Sequence, residues 1–388
     1  MDSLEIFSGA GGLALGLQKA GFNHVALYER NEAACRNLNY NIAKTDSDVK
    51  RWNVIHADVR HVDYGKYEGK IQLLAGGPPC QPFSLGGKHQ AQADDRDMFP
   101  EAVRAIRETK PVAFLLENVQ GLLRQSFKTY FDYILLQLMY PETLKSRCSN
   151  WLEHLAELEK AHTGGCREGL SYRVVFRLLN AADYGIPQIR QRVMIVGFRN
   201  DCNVNWSFPA PTHSKEMLMY SKWISREYWS EHNLPVPKDI PLSVRKTATL
   251  RNSIEGNLFN VKRWLTVRDA IRDLPDPATN FDKDRIFNHE YRAGAKSYHG
   301  HSGSNPDEPS KAIKAGVHGV PGGENMLMID NGELRYYTVR ESARIQTFPD
   351  NYVFVSSLTE NMRQIGNAVP VDLAYVIGKS IHDKLRGA

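Results

Sequence analysis

LEIFSGAGGLALGLQKAGFNHVALYE, residues 4–29, decides the fold. Its first four residues, LEIF (4–7), read as a short strand, and SGAGG (8–12) as a glycine turn. LALGLQKA (13–20) has helical spacing, with Gly21 placed to cap its end. HVALYE (24–29) reads as a second strand that ends on an acid. Glycines between a strand and a helix let a ligand approach the backbone and the helix N-terminus.

The same alternation continues. A helical stretch around Ala33 to Leu38 precedes two further strands, WNVIHADV (52–59) and KIQLLAGG (70–77). EAVRAIRET (101–109) is helical, and VAFLLENV (112–119) is a long apolar strand ending in polar residues. This order predicts an α/β fold: a doubly wound, mostly parallel sheet covered by helices on both faces. From Phe127 to Leu158 the pattern is helical, with Trp151, Leu152, Leu155 and Leu158 at amphipathic spacing. YRVVFRLLNA (172–181) and VMIVGF (193–198) return to strand character.

Beyond Asn200, Pro, Gly, His and Asn increase and strand signals shorten. Residues 1–199 are therefore expected to form one domain, and 200–337 an irregular second domain. TVRESARIQTF (338–348) restores order, with Thr338 and Glu341 as a capping box. VDLAYVIGKSI (371–381), just after Pro370, is spaced like a helix. Residues 338–363 then read as a hinge and 364–388 as a return to the first domain, which makes the second domain an insertion.

A length of 388 residues exceeds one ordinary core. With 42% hydrophobic and 24% charged residues, the composition is that of an ordinary soluble globular protein. A formal charge of +5 permits a polyanionic partner without requiring one. No apolar run approaches the roughly 18 residues of a membrane span. MDSLEIFSGAGG enters a strand at once instead of a signal peptide, so a cytoplasmic location is expected. The five cysteines, Cys35, Cys80, Cys148, Cys166 and Cys202, are odd in number and far apart, without a C-x-x-C pair. That argues against a disulfide framework or a structural zinc site; no metal is expected.

Ligands in open α/β sheets bind beyond the carboxyl ends of the strands. Glu29 and Asp58 end the second and third predicted strands, where an acid hydrogen-bonds ribose hydroxyls. With FSGAGG they point to an adenosine-containing cofactor without saying which. GGPPCQPFS (76–84) follows the fourth strand, and Pro78, Pro79 and Pro82 fix φ on both sides of Cys80. A cysteine that only fills a core needs no such scaffold. One that must meet a substrate atom at a set angle does. Glu117 lies near the end of the fifth strand, toward the same crevice. In QIRQR (188–192), Arg190 and Arg192 occupy alternate positions and point to one side if the segment is extended. Singly, each has a plain reading: a core cysteine, a surface acid, a solvated basic edge.

Taken in order, these motifs resemble those of the carbon-5 cytosine-specific DNA methyltransferases of bacterial restriction–modification type, over nearly the whole chain. FSGAGG (7–12) is similar to the cofactor glycine motif, ALYE (26–29) to the ribose-binding strand and HADV (56–59) to the adenine-contacting segment. GGPPCQPFS resembles the nucleophile loop, ENV (117–119) the glutamate motif and QIRQR the paired-arginine motif. TVRESARIQTFPD (338–350) resembles the motif before the closing helix, and QIGNAVPV (364–371) the last cofactor motif.

The resemblance implies a Rossmann-like enzyme dependent on S-adenosyl-L-methionine. It assigns cofactor binding to Phe7, Gly9, Ala10, Gly11, Gly12, Leu13, Glu29, Arg30, Asp58, Val59, Gly77, Pro79, Phe99, Asn367 and Val369. It makes Cys80, Glu117, Arg190 and Arg192 catalytic, and brings Ser84, Gly86, Lys88, Asn118 and Gln188 to the substrate, double-stranded DNA. It also implies a monomer and a genetically linked restriction endonuclease.

The chemistry accounts for these residue types. Cytosine carbon 5 is a poor nucleophile, and a thiolate adding to carbon 6 makes an enamine whose carbon 5 can attack a methyl group. Cys80 is the implied thiolate. Glu117 is the implied partner of ring nitrogen 3, a role suited to a carboxyl whose pKa is raised in a confined site. The two arginines would support base and glutamate electrostatically. A paired cytosine must first be flipped out of the duplex. SLGGKHQAQADDRDMF (84–99) suits a mobile loop, with Gly86 and Gly87 as hinge and Lys88 and Arg96 for phosphate. Within it, RDMF replaces the commoner glycine-containing spacing ahead of the pocket-lining Phe99. SYHGHSGSNPDEPSKAIKAGVHGVPGG (297–323) offers His, Ser, Asn and Lys to base edges. The segment around 141–170 is longer than this motif interval often is and reads as an added helix.

Three other readings stay open. The substrate could be transfer RNA, although the long 200–337 region argues for duplex recognition. A catalytically silent DNA-binding relative would be expected to lack Cys80, Glu117 or the arginines. A nucleotide-dependent dehydrogenase follows if the glycine turn alone is counted.

Overall fold

The computed structural model describes residues 1–44, 51–79, 97–146, 150–165, 169–238, 261–279, 282, 285–296, 302–315 and 325–387. Cys80, Ser84, Gly86, Gly87, Lys88 and Arg96 lie outside the described residues, as does much of 297–323.

The strands of the main sheet are β1 (Asp2–Ile6), β2 (Asn23–Glu29), β3 (Val54–His56), β4 (Leu73–Gly76), β5 (Ala113–Val119), β6 (Tyr172–Asn180) and β7 (Gln191–Arg199). Their order across the sheet is β3-β2-β1-β4-β5-β7-β6. β3, β2, β1, β4 and β5 pair in parallel, and β7 runs antiparallel to β5. The expected doubly wound, mostly parallel sheet is thus present, with β7 reversed between β5 and β6. Between the strands lie α1 (Gly12–Lys19), α2 (Glu32–Lys44), α3 (Phe99–Thr109), α4 (Lys128–Met139) and α5 (Trp151–Thr163).

Side-chain alternation along β2 shows why both faces are covered. Ala26 and Tyr28 join the larger apolar cluster with Ala102, Ile106, Phe131 and Ile134 from α3 and α4. Leu27, between them, joins Ala14 and Leu38 from α1 and α2 on the opposite face. A strand buried on both sides reads as a continuous apolar run, as HVALY does.

The chain divides into two compact units. The first comprises Met1–Leu179, Gln191–Phe208 and Ala374–Ala388; the second comprises Asn180–Arg190 and Pro209–Leu373. The second unit is built from short elements: β8 (His213–Ser214), α6 (Lys215–Trp223), α7 (Glu227–Glu231), β9 (Lys262–Arg263), α8 (Val267–Ile271), β10 (Met326–Met328), β11 (Leu334–Tyr336), α9 (Val339–Ile345) and α10 (Leu358–Asn367). An aromatic core of Tyr228, Trp229 and Trp264 and ion pairs such as Arg268–Asp307 at 2.7 Å hold it together. The capping box at α9 forms as expected, with Glu341 N–H donating to Thr338 Oγ1 at 3.1 Å and Thr338 N–H to Glu341 Oε2 at 2.9 Å. α11 (Val371–Arg386) returns most of its length to the first unit, where Ser380 Oγ accepts from Trp206 Nε1 at 2.9 Å. No described helix is long and apolar enough to cross a membrane.

One histidine in the sheet makes the first unit's stability depend on pH. His24 is 2% exposed, with Nε2 2.9 Å from the Ala14 carbonyl and Nδ1 3.0 Å from Ser3 Oγ. A carbonyl only accepts, so Nε2 carries the proton and Nδ1 accepts from the serine hydroxyl. Burial lowers the His24 pKa to about 4. The folded state therefore resists a proton that the unfolded chain takes up near pH 6.5. The resulting stabilisation is fully present above pH 6.5 and is lost as pH falls toward 4, a change on the order of 3 kcal/mol. Urea midpoints measured between pH 7 and 4 are expected to show this slope in the wild type and to lose that share of it in His24→Gln. Equal slopes in the two proteins would remove His24 from the account.

Candidate active site

At the carboxyl end of β1 the chain turns through three left-handed residues, Phe7 (φ 59°), Gly9 (φ 52°) and Gly11 (φ 77°). Glycine takes this conformation freely, but for Phe7 it costs on the order of 1–2 kcal/mol. Such strain is retained where a turn has a task. A Cβ built on Gly9 would meet no described atom within 4 Å, so one side of the turn is open to a ligand. Ala10, Gly11, Gly12 and Leu13 are buried beneath it as the start of α1.

Glu29, at the end of β2, fastens the turn. Its Oε2 accepts from Gly9 N–H at 2.7 Å and its Oε1 from Asn31 N–H at 2.6 Å. Each oxygen keeps a second lone pair for a further donor. Asp58 lies two residues beyond β3, with Val59 buried after it. Arg60 grips the Asp58 carboxylate through Nε at 3.0 Å and Nη2 at 2.6 Å, and Arg30 stands 3.6 Å away. The Arg60 hydrogen bonds, with lesser help from Arg30, hold the Asp58 carboxyl well below the ordinary carboxylate range. Two fixed acids and an open glycine turn at adjacent strand ends fit the ribose and adenine ends of a nucleoside.

Glu5 was not singled out in the sequence, although an acid in the apolar strand LEIF was the signal. It is 1% exposed in β1, and its Oε2 has no hydrogen-bond partner among the described residues. Burial, reinforced by the charge of Glu29, raises its pKa well above the usual value.

A second group of residues sits at the ends of β4, β5 and β7. Antiparallel register sets Glu117 opposite Met194 and Val119 opposite Arg192, which leaves Glu117 and Arg192 diagonal neighbours. Arg192 Nε lies 2.7 Å from Glu117 Oε1 in a largely buried ion pair. Burial lowers the Arg192 pKa, and Glu117 opposes the shift. Gly77, just past β4, leaves room for the acid: a Cβ there would approach Glu117 Oε2 to 3.2 Å. Asn118 Nδ2 donates to the Pro78 carbonyl at 3.0 Å, and Pro79, the residue before Cys80, is exposed.

Other expected residues take different places. Asn118 and Gln188 were expected to meet substrate, but both side chains are committed to the protein. Gln188 is fully buried; its Oε1 accepts from Ile313 N–H at 2.9 Å and its Nε2 donates to Gln346 Oε1 at 3.1 Å. Arg190 is 1% exposed, and its guanidinium donates to the carbonyls of Ile313, Gly366 and Ala368 at 2.6 to 3.1 Å. β7 begins only at Gln191, so the strand alternation expected of the two arginines covers Arg192 but not Arg190. Asn367 and Val369 belong to the second unit, Asn367 exposed at the end of α10 and Val369 buried. Phe99 is fully buried at the first position of α3. Among the described residues, no group of three or more His, Cys, Asp or Glu could hold a metal ion. Cys35 is buried, which raises its thiol pKa to about 11 and leaves it unreactive.

The family model for C-5 cytosine-specific DNA methylase matches residues 1–140 and 167–383. Among curated proteins, the type II methyltransferase M.NgoMIV of Neisseria gonorrhoeae is 34% identical over 384 residues, covering 99% of this chain and 98% of the relative. The type II methyltransferase M.PspPI of a Psychrobacter species is 32% identical over 387 residues, covering 99% and 80%. Among solved structures, the S. pombe Dnmt2 methyltransferase superposes with a TM-score of 0.54 at 18% identity, covering 100% of this chain and 99% of that one. The Entamoeba histolytica methyltransferase EhMeth gives 0.56 at 14% identity, covering 99% and 98%. At those identities the structural likeness speaks for the fold alone.

Proposed function

The chain belongs to the C-5 cytosine-specific DNA methylase family and is a DNA cytosine-5 methyltransferase, and on that premise we propose how its residues divide the work. The observation that carries the proposal is the buried Glu117–Arg192 pair, set against Gly77 three residues before Cys80.

S-adenosyl-L-methionine, when bound, supplies an electrophilic methyl group. The Phe7–Leu13 turn cradles that ligand, Glu29 accepts from its ribose hydroxyls, and Asp58, Val59 and Arg30 meet its adenine. Gly77, Pro79 and Phe99, at and beyond the end of β4, belong to the same cofactor side of the first unit in this reading. Removing the Glu29 carboxylate deletes an acceptor for the ribose and the fastening of the turn. Glu29→Ala is expected to raise the cofactor Kd about 10- to 100-fold by calorimetry. An unchanged Kd would take Glu29 out of the site.

The substrate is a cytosine flipped from duplex DNA. Cys80 adds as thiolate to carbon 6, and the electron pair displaced from the ring double bond makes carbon 5 the nucleophile. Glu117 holds ring nitrogen 3, where negative charge builds, and Arg192 fixes the glutamate from behind. After methylation, loss of the carbon 5 hydrogen to a base restores the double bond and expels the Cys80 sulfur. Arg190 and Gln188 act on the protein itself, holding the main chain around Ile313 and Gly366 in the second unit. That unit reads the target sequence, and the enzyme works as a monomer in the cytoplasm as the modification half of a restriction–modification pair.

The test is methyl transfer from labelled S-adenosyl-L-methionine to duplex DNA of mixed sequence, followed by nucleoside analysis. Label in 5-methylcytosine, undiminished by excess transfer RNA, is expected. Label in RNA alone, or none in cytosine, would contradict the reading.

A further inference from the structure

Residues 141–166 fall between the two stretches that match the family, and here the chain builds α5. A capping box starts the helix: Asn150 Oδ1 accepts from Leu152 and Glu153 N–H, and Glu153 Oε2 accepts from Asn150 N–H at 3.0 Å. Two phenol–imidazole pairs fasten it to α4 and the residue just beyond, Tyr133 Oη with His154 Nδ1 and Tyr140 Oη with His162 Nδ1, each at 2.9 Å. Trp151 packs on the rings of Tyr130 and Tyr133, with centroids 6.0 and 5.6 Å away. Leu155 and Leu158 are buried beside them.

Tyr130 carries this support toward the site. Its phenol donates to Asp97 Oδ2, and Asp97 Oδ1 accepts from Phe99 N–H at 3.2 Å, at the start of α3. The next amide, Met98 N–H, donates to the Pro79 carbonyl at 3.3 Å. Pro78 is held by Asn118 at 3.0 Å. The Pro78–Pro79 dipeptide is thus gripped from two sides, by β5 through Asn118 and by α4 through Asp97 and Met98. Asp97 is the acid of RDMF (96–99).

We propose that Tyr130 is a positioning residue for methyl transfer: through Asp97 it fixes the main chain at Pro79 and Phe99, and α5 braces Tyr130 from behind. The inference rests on the function proposed above. A misplacement of about 1 Å at reacting groups costs roughly 100-fold in rate, so the loss of one tethering hydroxyl has a measurable effect.

Tyr130→Phe keeps the ring on Trp151 and removes only the hydroxyl. It is expected to slow single-turnover transfer about 10- to 100-fold at saturating DNA and cofactor, with DNA affinity retained. Asp97→Ala should reproduce the loss, and the double variant should be no worse than either single one, because both cut the same link. Trp151→Ala should slow transfer less, with Trp151→Phe restoring part of the rate. Alkylation of Cys80 by iodoacetamide, followed by mass spectrometry, gives a readout independent of activity and should change several-fold in Tyr130→Phe. Wild-type transfer and alkylation rates in a folded Tyr130→Phe, or additive losses in the double variant, overturn the proposal. A wild type that transfers no methyl group overturns the functional reading instead, and the alkylation rates still decide the role of Tyr130.

Discussion

Cys80→Ala is expected to abolish methyl transfer, by at least about 10⁴-fold in single turnover, while DNA and cofactor binding persist. Without a thiolate no bond forms at carbon 6, and carbon 5 keeps the low nucleophilicity of an aromatic ring carbon. Loss of a covalent nucleophile removes a mechanism and not just an increment of binding, so the effect falls on the chemical step and not on affinity. Serine is expected to fail as well, because its hydroxyl is not ionised near neutral pH. The measurement is a pre-mixed, single-turnover assay on mixed-sequence duplex, with gel-shift affinity recorded in parallel. Residual transfer within tenfold of the wild type would assign the nucleophile elsewhere.

The second large effect concerns Glu117 and Arg192, 2.7 Å apart at the ends of β5 and β7. Glu117→Gln removes the group that meets nitrogen 3 and is expected to slow transfer about 10²- to 10⁴-fold. Arg192→Ala does something different, because it leaves a carboxylate 8% exposed without its counter-charge. Breaking such a pair from one side costs about 3–5 kcal/mol, so Arg192→Ala should lower the urea midpoint as well as the rate. Removing both charges, in Glu117→Gln with Arg192→Met, should recover most of the stability and none of the activity. A double variant as unstable as Arg192→Ala would mean that the pair does not matter electrostatically. An active double variant would exclude both residues from the chemistry.

The second of these effects rests on a pairing that the sequence withheld. Glu117 and QIRQR were visible as candidates, but not that β7 reverses beside β5, nor the register that makes Arg192 the glutamate's diagonal neighbour. Pairing between strands so far apart in sequence leaves no local signal. Local signals fared better. Gly21 was read as a cap, and its N–H does donate to the Gln18 carbonyl at 2.9 Å with φ 103°. The glycine turn after β1 is legible because left-handed positions favour residues without a Cβ, as at Gly9 and Gly11, and only Phe7 defies that rule.

The helical stretch from Phe127 resolved into α4 and α5 because Pro141 cannot continue a helix, although the apolar spacing resumes at Trp151. β3 is shorter than expected, three residues in place of eight, since it finds a partner only in β2, opposite Leu27 to Glu29. Arg190 lies one residue before β7, outside the strand's alternation. Its buried guanidinium donates through both Nη atoms to main-chain carbonyls up to 178 residues away, which no local pattern reveals.

The most direct test of the central chemistry is a trap. Duplex DNA of mixed sequence with 5-fluorocytosine in place of cytosine cannot release fluorine as the normal substrate releases a proton, so the bond from sulfur to carbon 6 should persist after methylation. With S-adenosyl-L-methionine present, a covalent protein–DNA complex that survives denaturation and maps by mass spectrometry to the Cys80 peptide is predicted. No stable complex, or one mapped to Cys35 or Cys202, would contradict the account.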